Sequence, residues 1–150
     1  MKKLLFTIVN LMLSLVVIGL AITATGCGEN EFDASKVEPA LRPILGYWRY
    51  TGSTYDSKSG YVFKSSGEVV HWSIDYSADD REYNELHAGT FGVDEEQHIY
   101  IVGDGKGVLA DGKIYYITEI SSDEITIFDP SGPEGLQYMK YRKQSMIPRP

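Results

Sequence analysis

The chain has 150 residues, a formal net charge of −7 and a single cysteine, Cys27. This acidic balance excludes proteins that hold nucleic acid or anionic headgroups through clustered Lys and Arg. One cysteine excludes an internal disulfide framework, and the length suits one small domain.

The N-terminal 26 residues have the layout of an export signal. Lys2 and Lys3 supply a positive start, and residues 4–26 are uncharged and rich in Leu, Ile and Val. The run also approaches the roughly 20 residues that span a bilayer as a helix, so an uncleaved transmembrane anchor is the alternative. The small residues Ala24, Thr25 and Gly26 favour cleavage before Cys27.

The sequence Ala24-Thr25-Gly26-Cys27 resembles the lipobox of bacterial lipoproteins, with alanine where that family usually has leucine. The resemblance implies that the sulfur of Cys27 receives a diacylglyceryl group and that cleavage leaves Cys27 as the first residue. One acyl chain binds a membrane with an association constant of only about 10⁴ M⁻¹, whereas two or three chains anchor a protein stably. We therefore expect a lipid-anchored protein of the bacterial cell envelope, with the membrane and leaflet left open.

Composition divides the remaining chain into three parts. Residues 27–43 contain small and acidic residues with Pro39 and Pro43, which predicts a lipidated tether in which residues 34–41 form at most a short helix. Residues 44–143 form the predicted domain. Residues 144–150 are predicted to be a flexible tail.

The domain shows an apolar pattern of period two, with β-branched and aromatic residues between short polar turns. Short connections make sequential strands antiparallel neighbours, and no segment after residue 45 has the 3.6-residue periodicity of a helix. The predicted strands are Leu45 to Thr51, Gly60 to Lys64, Glu68 to Tyr76, Leu86 to Val93, His98 to Val102, Lys113 to Ile120, Glu124 to Asp129 and Leu136 to Arg142.

Alternation also divides each strand into two faces. Val70, Trp72, Ile74 and Tyr76 share one face, and His71 falls on the other, where we expect a solvated imidazole. Curling an eight-stranded sheet closed hides its apolar face and removes its edges. The sequence therefore predicts an all-β fold, an eight-stranded antiparallel up-and-down meander barrel.

This pattern resembles the lipocalin-like lipoproteins of bacteria, which belong to the calycin group of barrels. The resemblance implies that Gly46 and Trp48 form a Gly-x-Trp motif at the closed base of the barrel, where Arg142 stacks on Trp48. It implies a fold and carries no single activity. The segments that carry it are residues 45–48, 61–68, 89–93, 99–101, 115–117 and 124–127.

No residue pattern indicates a metal, a cofactor or a catalytic centre. The three histidines, His71, His87 and His98, lack zinc-ligand spacing, and Asp75 to Glu85 lacks the EF-hand pattern. Gly103 to Gly107 leads into a strand rather than a helix, unlike a phosphate loop, and no nucleophile motif is present. An envelope hydrolase that uses the acidic loop 75–85 is therefore only a remote alternative to a non-catalytic protein.

Two functions remain open. Barrels of this size can hold one small ligand, and a cavity for a small apolar molecule would be lined by Trp48, Tyr61, Phe63, Trp72, Phe91 and Tyr116. Alternatively the core is filled, and the domain serves a structural or interaction role toward an envelope protein. An enclosed void of about 300 Å³ or more favours the ligand, and a packed core favours the partner.

Overall fold

A computed structural model describes residues 30–52, 57–76, 82–105 and 109–147. Eight antiparallel strands follow one another around a closed barrel, and each pairs with its sequence neighbours. The strands are β1 (Gly46–Tyr50), β2 (Ser57–Phe63), β3 (Glu68–Asp75), β4 (Glu82–Val93), β5 (Ile99–Gly103), β6 (Ile114–Ile120), β7 (Glu124–Phe128) and β8 (Tyr138–Gln144).

Closure occurs between the first and last strands, where Trp48 lies opposite Lys143 and Tyr50 lies opposite Tyr141. The predicted all-β meander barrel is therefore confirmed, and it is the architecture that the lipocalin resemblance implies. The largest boundary difference is β4, which begins at Glu82 rather than at Leu86. Its polar first residues continue the ladder with β3, where Asp75 lies opposite Glu82, because backbone pairing extends beyond the apolar pattern.

Most of the predicted tether is folded onto the barrel. Two short 3-10 helices, Ala34–Lys36 and Pro39–Ile44, precede β1. Leu41, Ile44 and Leu45 are buried in the same cluster as the barrel interior. Residues 31–43 therefore belong to the folded body, and they close its base.

Trp48 fixes this closure from inside the barrel. Its side chain is fully buried, and the indole Nε1–H donates to the carbonyl oxygen of Ile44 at 2.7 Å. Gly46 has a φ of +121°, a conformation that glycine adopts without strain and that turns the chain from the 3-10 helix into β1. The Gly-x-Trp motif thus has a physical role in joining the base to the first strand.

The cation over Trp48 is Lys143, and the predicted partner Arg142 was wrong. Lys143 Nζ lies 5.0 Å from the indole centroid and donates to the carbonyl oxygen of Pro43 at 3.2 Å. Because successive residues of a strand point to opposite faces, Arg142 lies on the outer face, opposite Arg49 in the ladder. The two basic residues are adjacent in sequence, so the prediction selected the residue on the wrong face of β8.

Apolar side chains are buried on both sides of part of the barrel wall. One cluster fills the interior, and a second lies on the outer face of β2 and β3, where it contains Val62, Val70, Trp72 and Ile74. Ile147, from the predicted flexible tail, is buried in this outer cluster. Residues 144–147 are therefore part of the folded body, whereas residues 148–150 lie outside the described residues.

We predict that Lys143→Met lowers the free energy of unfolding by about 1 kcal/mol, because it removes a cation–π contact that is partly shielded from water. Arg142→Met removes an exposed charge from the adjacent position, and its effect should stay within about 0.5 kcal/mol. Urea unfolding of both variants measures the difference. Equal effects, or a larger loss for Arg142→Met, would show that the contact with Trp48 contributes nothing.

Candidate functional site

Four of the six predicted ligand-lining residues lie in the barrel interior. Trp48, Tyr61, Phe63 and Phe91 are buried there, with the Phe63 and Phe91 rings 5.3 Å apart in an edge-to-face arrangement. These side chains pack against Ile101, Ile127 and Leu109, each fully buried. The space between Trp48 and Phe91 is therefore filled by side chains.

Trp72 and Tyr116 were placed on the wrong face. Trp72 belongs to the outer cluster. Both faces of β3 are covered, so its apolar residues do not indicate which face points into the barrel. On β6 the buried tyrosine is Tyr115, and Tyr116 is half-buried on the outer face. Consecutive tyrosines fit either phase of the alternation, which explains why the pattern selected the wrong one.

A pocket lies toward the mouth of the barrel, at the end away from the base that Trp48 closes. This pocket of about 220 Å³ is lined by Tyr50, Ser59, Gly60, Tyr61, His71, Met139 and Tyr141. Residues of β1, β2, β3 and β8 line it, so closure of the barrel brings together residues that are distant in sequence. We call it the mouth pocket.

Aromatic rings form the walls of the mouth pocket. Tyr141 lies between Tyr50 and Tyr61, with centroid distances of 5.4 Å to each. His71 packs edge-on against Tyr61 at 5.5 Å. At Gly60 a Cβ atom would lie 1.8 Å from the carbonyl oxygen of Trp48, so glycine is required where β1 and β2 approach closely.

Tyr61 places its hydroxyl group in a buried position. Its side chain is 1% exposed, and among the described residues its hydroxyl has no partner of good hydrogen-bond geometry, although the Tyr141 hydroxyl is close enough to interact with it. The nearby Tyr141 hydroxyl instead points to the sulfur of Met139 at 3.9 Å, a weak acceptor. Burial raises the pKa of both Tyr61 and Tyr141, so both phenols stay protonated and can donate.

His71 is the residue that sequence reasoning missed. The sequence analysis placed Trp72 inside the barrel and therefore His71 outside. Because adjacent residues of β3 point to opposite faces, an outward Trp72 means that His71 points inward. Burial lowers the pKa of His71 below its ordinary value of 6.5, so the imidazole is neutral near pH 7. It then offers one donor and one acceptor at the edge of the mouth pocket.

The chemistry of the mouth pocket is therefore that of neutral hydrogen-bonding groups on an aromatic surface. Among the described residues that line it, none is a carboxylate or a lysine. Such a surface suits a small molecule with an apolar body and one polar atom.

The other histidines lie at the surface beside carboxylates. His87 Nδ1 is 2.9 Å from Glu68 Oε1, and His98 Nδ1 is 3.2 Å from Asp94 Oδ2. Within the described ranges, no group of three His, Cys, Asp or Glu side chains is arranged to hold a metal ion.

Two predicted features fall partly or wholly outside the described residues. Cys27 and the lipobox lie in residues 1–29, and residues 77–81 are the middle of the acidic loop. The flanking carboxylates of Asp75 and Glu82 are exposed. The parts of the chain that the structure describes contain no helix long and apolar enough to cross a membrane.

A row of aromatic residues crosses the outer face of the last four strands. Tyr100, Tyr116, Phe128 and Tyr138 lie directly opposite one another along β5, β6, β7 and β8. Tyr138 is 63% exposed, and its ring lies 4.9 Å from that of Phe128. We call this the aromatic row; beside it is a shallow depression of about 890 Å³.

Comparison with models of known protein families and with curated proteins finds no match to this chain. The geometry of the described residues is therefore the basis for a functional proposal.

We predict that acid weakens the fold through His71. The unfolded chain takes up a proton near pH 6.5, whereas the buried imidazole resists it, so the stabilisation is complete above pH 6.5 and declines as the pH falls below that value. The decline should be absent in His71→Phe. Urea unfolding between pH 7.5 and 5, in steps of about half a pH unit, measures how the free energy of unfolding changes with pH in the parent and in His71→Phe.

Carboxylates act in a lower pH range and can be separated from His71. The His87 contact lowers the pKa of Glu68, and the backbone N–H of His98 lowers that of Asp94, so their stabilisation is lost below their ordinary values of 4.5 and 3.8. An identical pH profile for the parent and His71→Phe between pH 7.5 and 5 would contradict the assignment.

Proposed function

We propose that this protein is a lipid-anchored, non-catalytic barrel of the bacterial cell envelope that binds a small, largely apolar molecule in the mouth pocket. The lipid on Cys27 supplies the membrane attachment. The barrel supplies the binding site at the end opposite its closed base.

The observation that carries the proposal is the unpartnered hydroxyl of Tyr61. A buried hydroxyl without a hydrogen bond costs about 1–3 kcal/mol, and folded proteins leave few such groups. Tyr61 lines a pocket while its hydroxyl is closed to solvent, so a ligand acceptor atom would satisfy the hydroxyl once a neighbouring side chain of the pocket moves aside. The free protein therefore carries a cost that binding removes.

The pocket also limits the ligand. Its volume of about 220 Å³ is below the range of roughly 300–1,000 Å³ that is typical of sites for drug-sized molecules. Aromatic walls formed by Tyr50, Tyr61 and Tyr141 favour a flat body. We therefore expect a compact planar molecule that carries one hydrogen-bond acceptor, such as a carbonyl oxygen.

The matched pair Tyr61→Phe and Tyr115→Phe tests this role. Tyr61→Phe should raise the free energy of unfolding by about 1 kcal/mol, because it removes an unsatisfied buried group. Tyr115→Phe should lower it by about 1 kcal/mol, because the Tyr115 hydroxyl accepts a hydrogen bond from the Ala110 N–H at 3.0 Å. Urea unfolding gives both values.

Binding should change in the opposite order. With acetophenone as the probe, NMR titration should show weaker binding to Tyr61→Phe by about 2- to 10-fold, the value of one neutral hydrogen bond, and unchanged binding to Tyr115→Phe. The shifts should centre on His71 and Met139. Equal affinity for the parent and Tyr61→Phe, or shifts centred on Trp72, would place the site elsewhere.

Lipidation of Cys27 is tested separately. Cells that express the full chain should incorporate labelled palmitate into the protein, and the intact mass should correspond to a chain that begins at Cys27 with an attached diacylglyceryl group. Cys27→Ser should abolish the label. A parent protein that retains Met1 and takes up no label would exclude the lipid anchor.

A second candidate function is protein interaction, and the aromatic row favours it. Exposed apolar patches often mark protein–protein contacts, and tyrosine is enriched at interfaces. The filled interior around Trp48 also agrees with a domain that acts through its outer face.

A further inference from the structure

A groove lies on the outer face of the barrel wall, on the side formed by β1, β2 and β3. Its volume is about 650 Å³. Val62 and Val70 are buried beneath it, Tyr47 and Ile147 lie beside them, and Met146 is 67% exposed at the edge. The groove therefore has an apolar floor and one exposed apolar residue at its edge, and the charged side chains of Glu31, Lys64 and Glu85 complete its lining.

The N-terminal segment is fixed to the same groove at Glu31. The Glu31 carbonyl oxygen accepts hydrogen bonds from the backbone N–H and the Oγ of Ser65, at 2.7 and 3.0 Å. Its carboxylate pairs with Lys64 at 3.3 Å, and the ring of Phe32 packs edge-on against Tyr47 at 5.0 Å. These contacts fix the position of the backbone from residue 31 onward.

Chain length then limits the distance between the groove and the proposed lipid. Glu31 is four residues after Cys27, and a fully extended chain spans at most about 3.6 Å per residue, or about 14 Å in total. A lipid on Cys27 places its glyceryl group at the membrane surface. The edge of the groove that contains Glu31 must then lie within roughly that distance of the surface.

We propose that the groove face of the barrel rests on the lipid bilayer, with the exposed Met146 against the membrane interface. This orientation rests on the proposed lipid anchor. The short connection from Cys27 and the exposed apolar residue at the groove edge favour a bilayer over a second copy or a peptide. Lys64 is paired with both Glu31 and Glu68, at 3.3 and 3.5 Å, and Glu85 adds a further negative charge, so the groove favours uncharged lipid over anionic headgroups.

The orientation has a consequence for the rest of the surface. In a closed barrel of eight strands, β6 and β7 lie on the opposite side from β2 and β3. The aromatic row on these strands, with Tyr116 and Phe128, would then face away from the membrane and toward the surrounding compartment.

The test places a fluorescent probe on each side of the barrel. Met146→Cys and Ile120→Cys each add one thiol at an exposed apolar residue, 67% and 39% exposed, on the groove face and on β6 respectively. Because Cys27 is the only natural cysteine and its sulfur is consumed by lipid, the added thiol is the single labelling site. The lipidated full chain is labelled with an environment-sensitive dye and reconstituted into phosphatidylcholine vesicles.

We expect the dye at residue 146 to shift its emission to shorter wavelength on reconstitution and to lose most of its intensity when the vesicles contain acyl chains with a nitroxide quencher. The dye at residue 120 should change in neither respect. The intact mass of each sample reports lipidation independently.

The outcomes separate the two proposals. A lipidated protein in which both dyes respond equally, or in which neither responds, overturns the orientation and leaves the lipid anchor intact. A protein whose mass shows no lipid on Cys27 overturns the anchor, and the orientation with it.

Discussion

The buried indole of Trp48 is the contact on which the rest of the structure depends. Its N–H holds the carbonyl oxygen of Ile44, and Lys143 lies over its ring, so one side chain joins the N-terminal helices, the first strand and the last strand. This contact closes one end of the barrel and fills the interior beside it. The mouth pocket, which Tyr61 and His71 line, lies toward the other end of the described interior.

Closing the base with the N-terminal segment also determines the outer surface. Because residues 31–44 pack against the barrel instead of forming a free tether, the folded body begins at Glu31, beside the groove. Both proposals follow from the same constraint. The filled base would direct a small ligand to the mouth pocket, and a short connection to a lipidated Cys27 would direct the groove toward the membrane.

The sequence was sufficient to predict the eight strands, their order and the closed barrel, because a period of two and short polar turns leave few other arrangements. It was not sufficient to predict which face points inward. At Trp72, Tyr116 and Arg142 the prediction chose the wrong one of two adjacent residues. A strand that is covered on both sides, or one with consecutive tyrosines, allows either set of alternate residues to be the inward one. The folded N-terminal segment was missed because short 3-10 helices with prolines have no apolar periodicity. The lipobox at Cys27 remains a prediction, outside the described residues.

Binding of a small molecule in the mouth pocket through Tyr61 is the property on which the proposed function depends. Native mass spectrometry of the full chain, extracted in mild detergent from the cells that make it, tests this most directly. We expect a lipidated chain with one non-covalent small molecule that dissociates on collisional activation and that occupies a smaller fraction of Tyr61→Phe than of the parent. A mass equal to polypeptide and lipid alone, in both the parent and Tyr61→Phe, would contradict it.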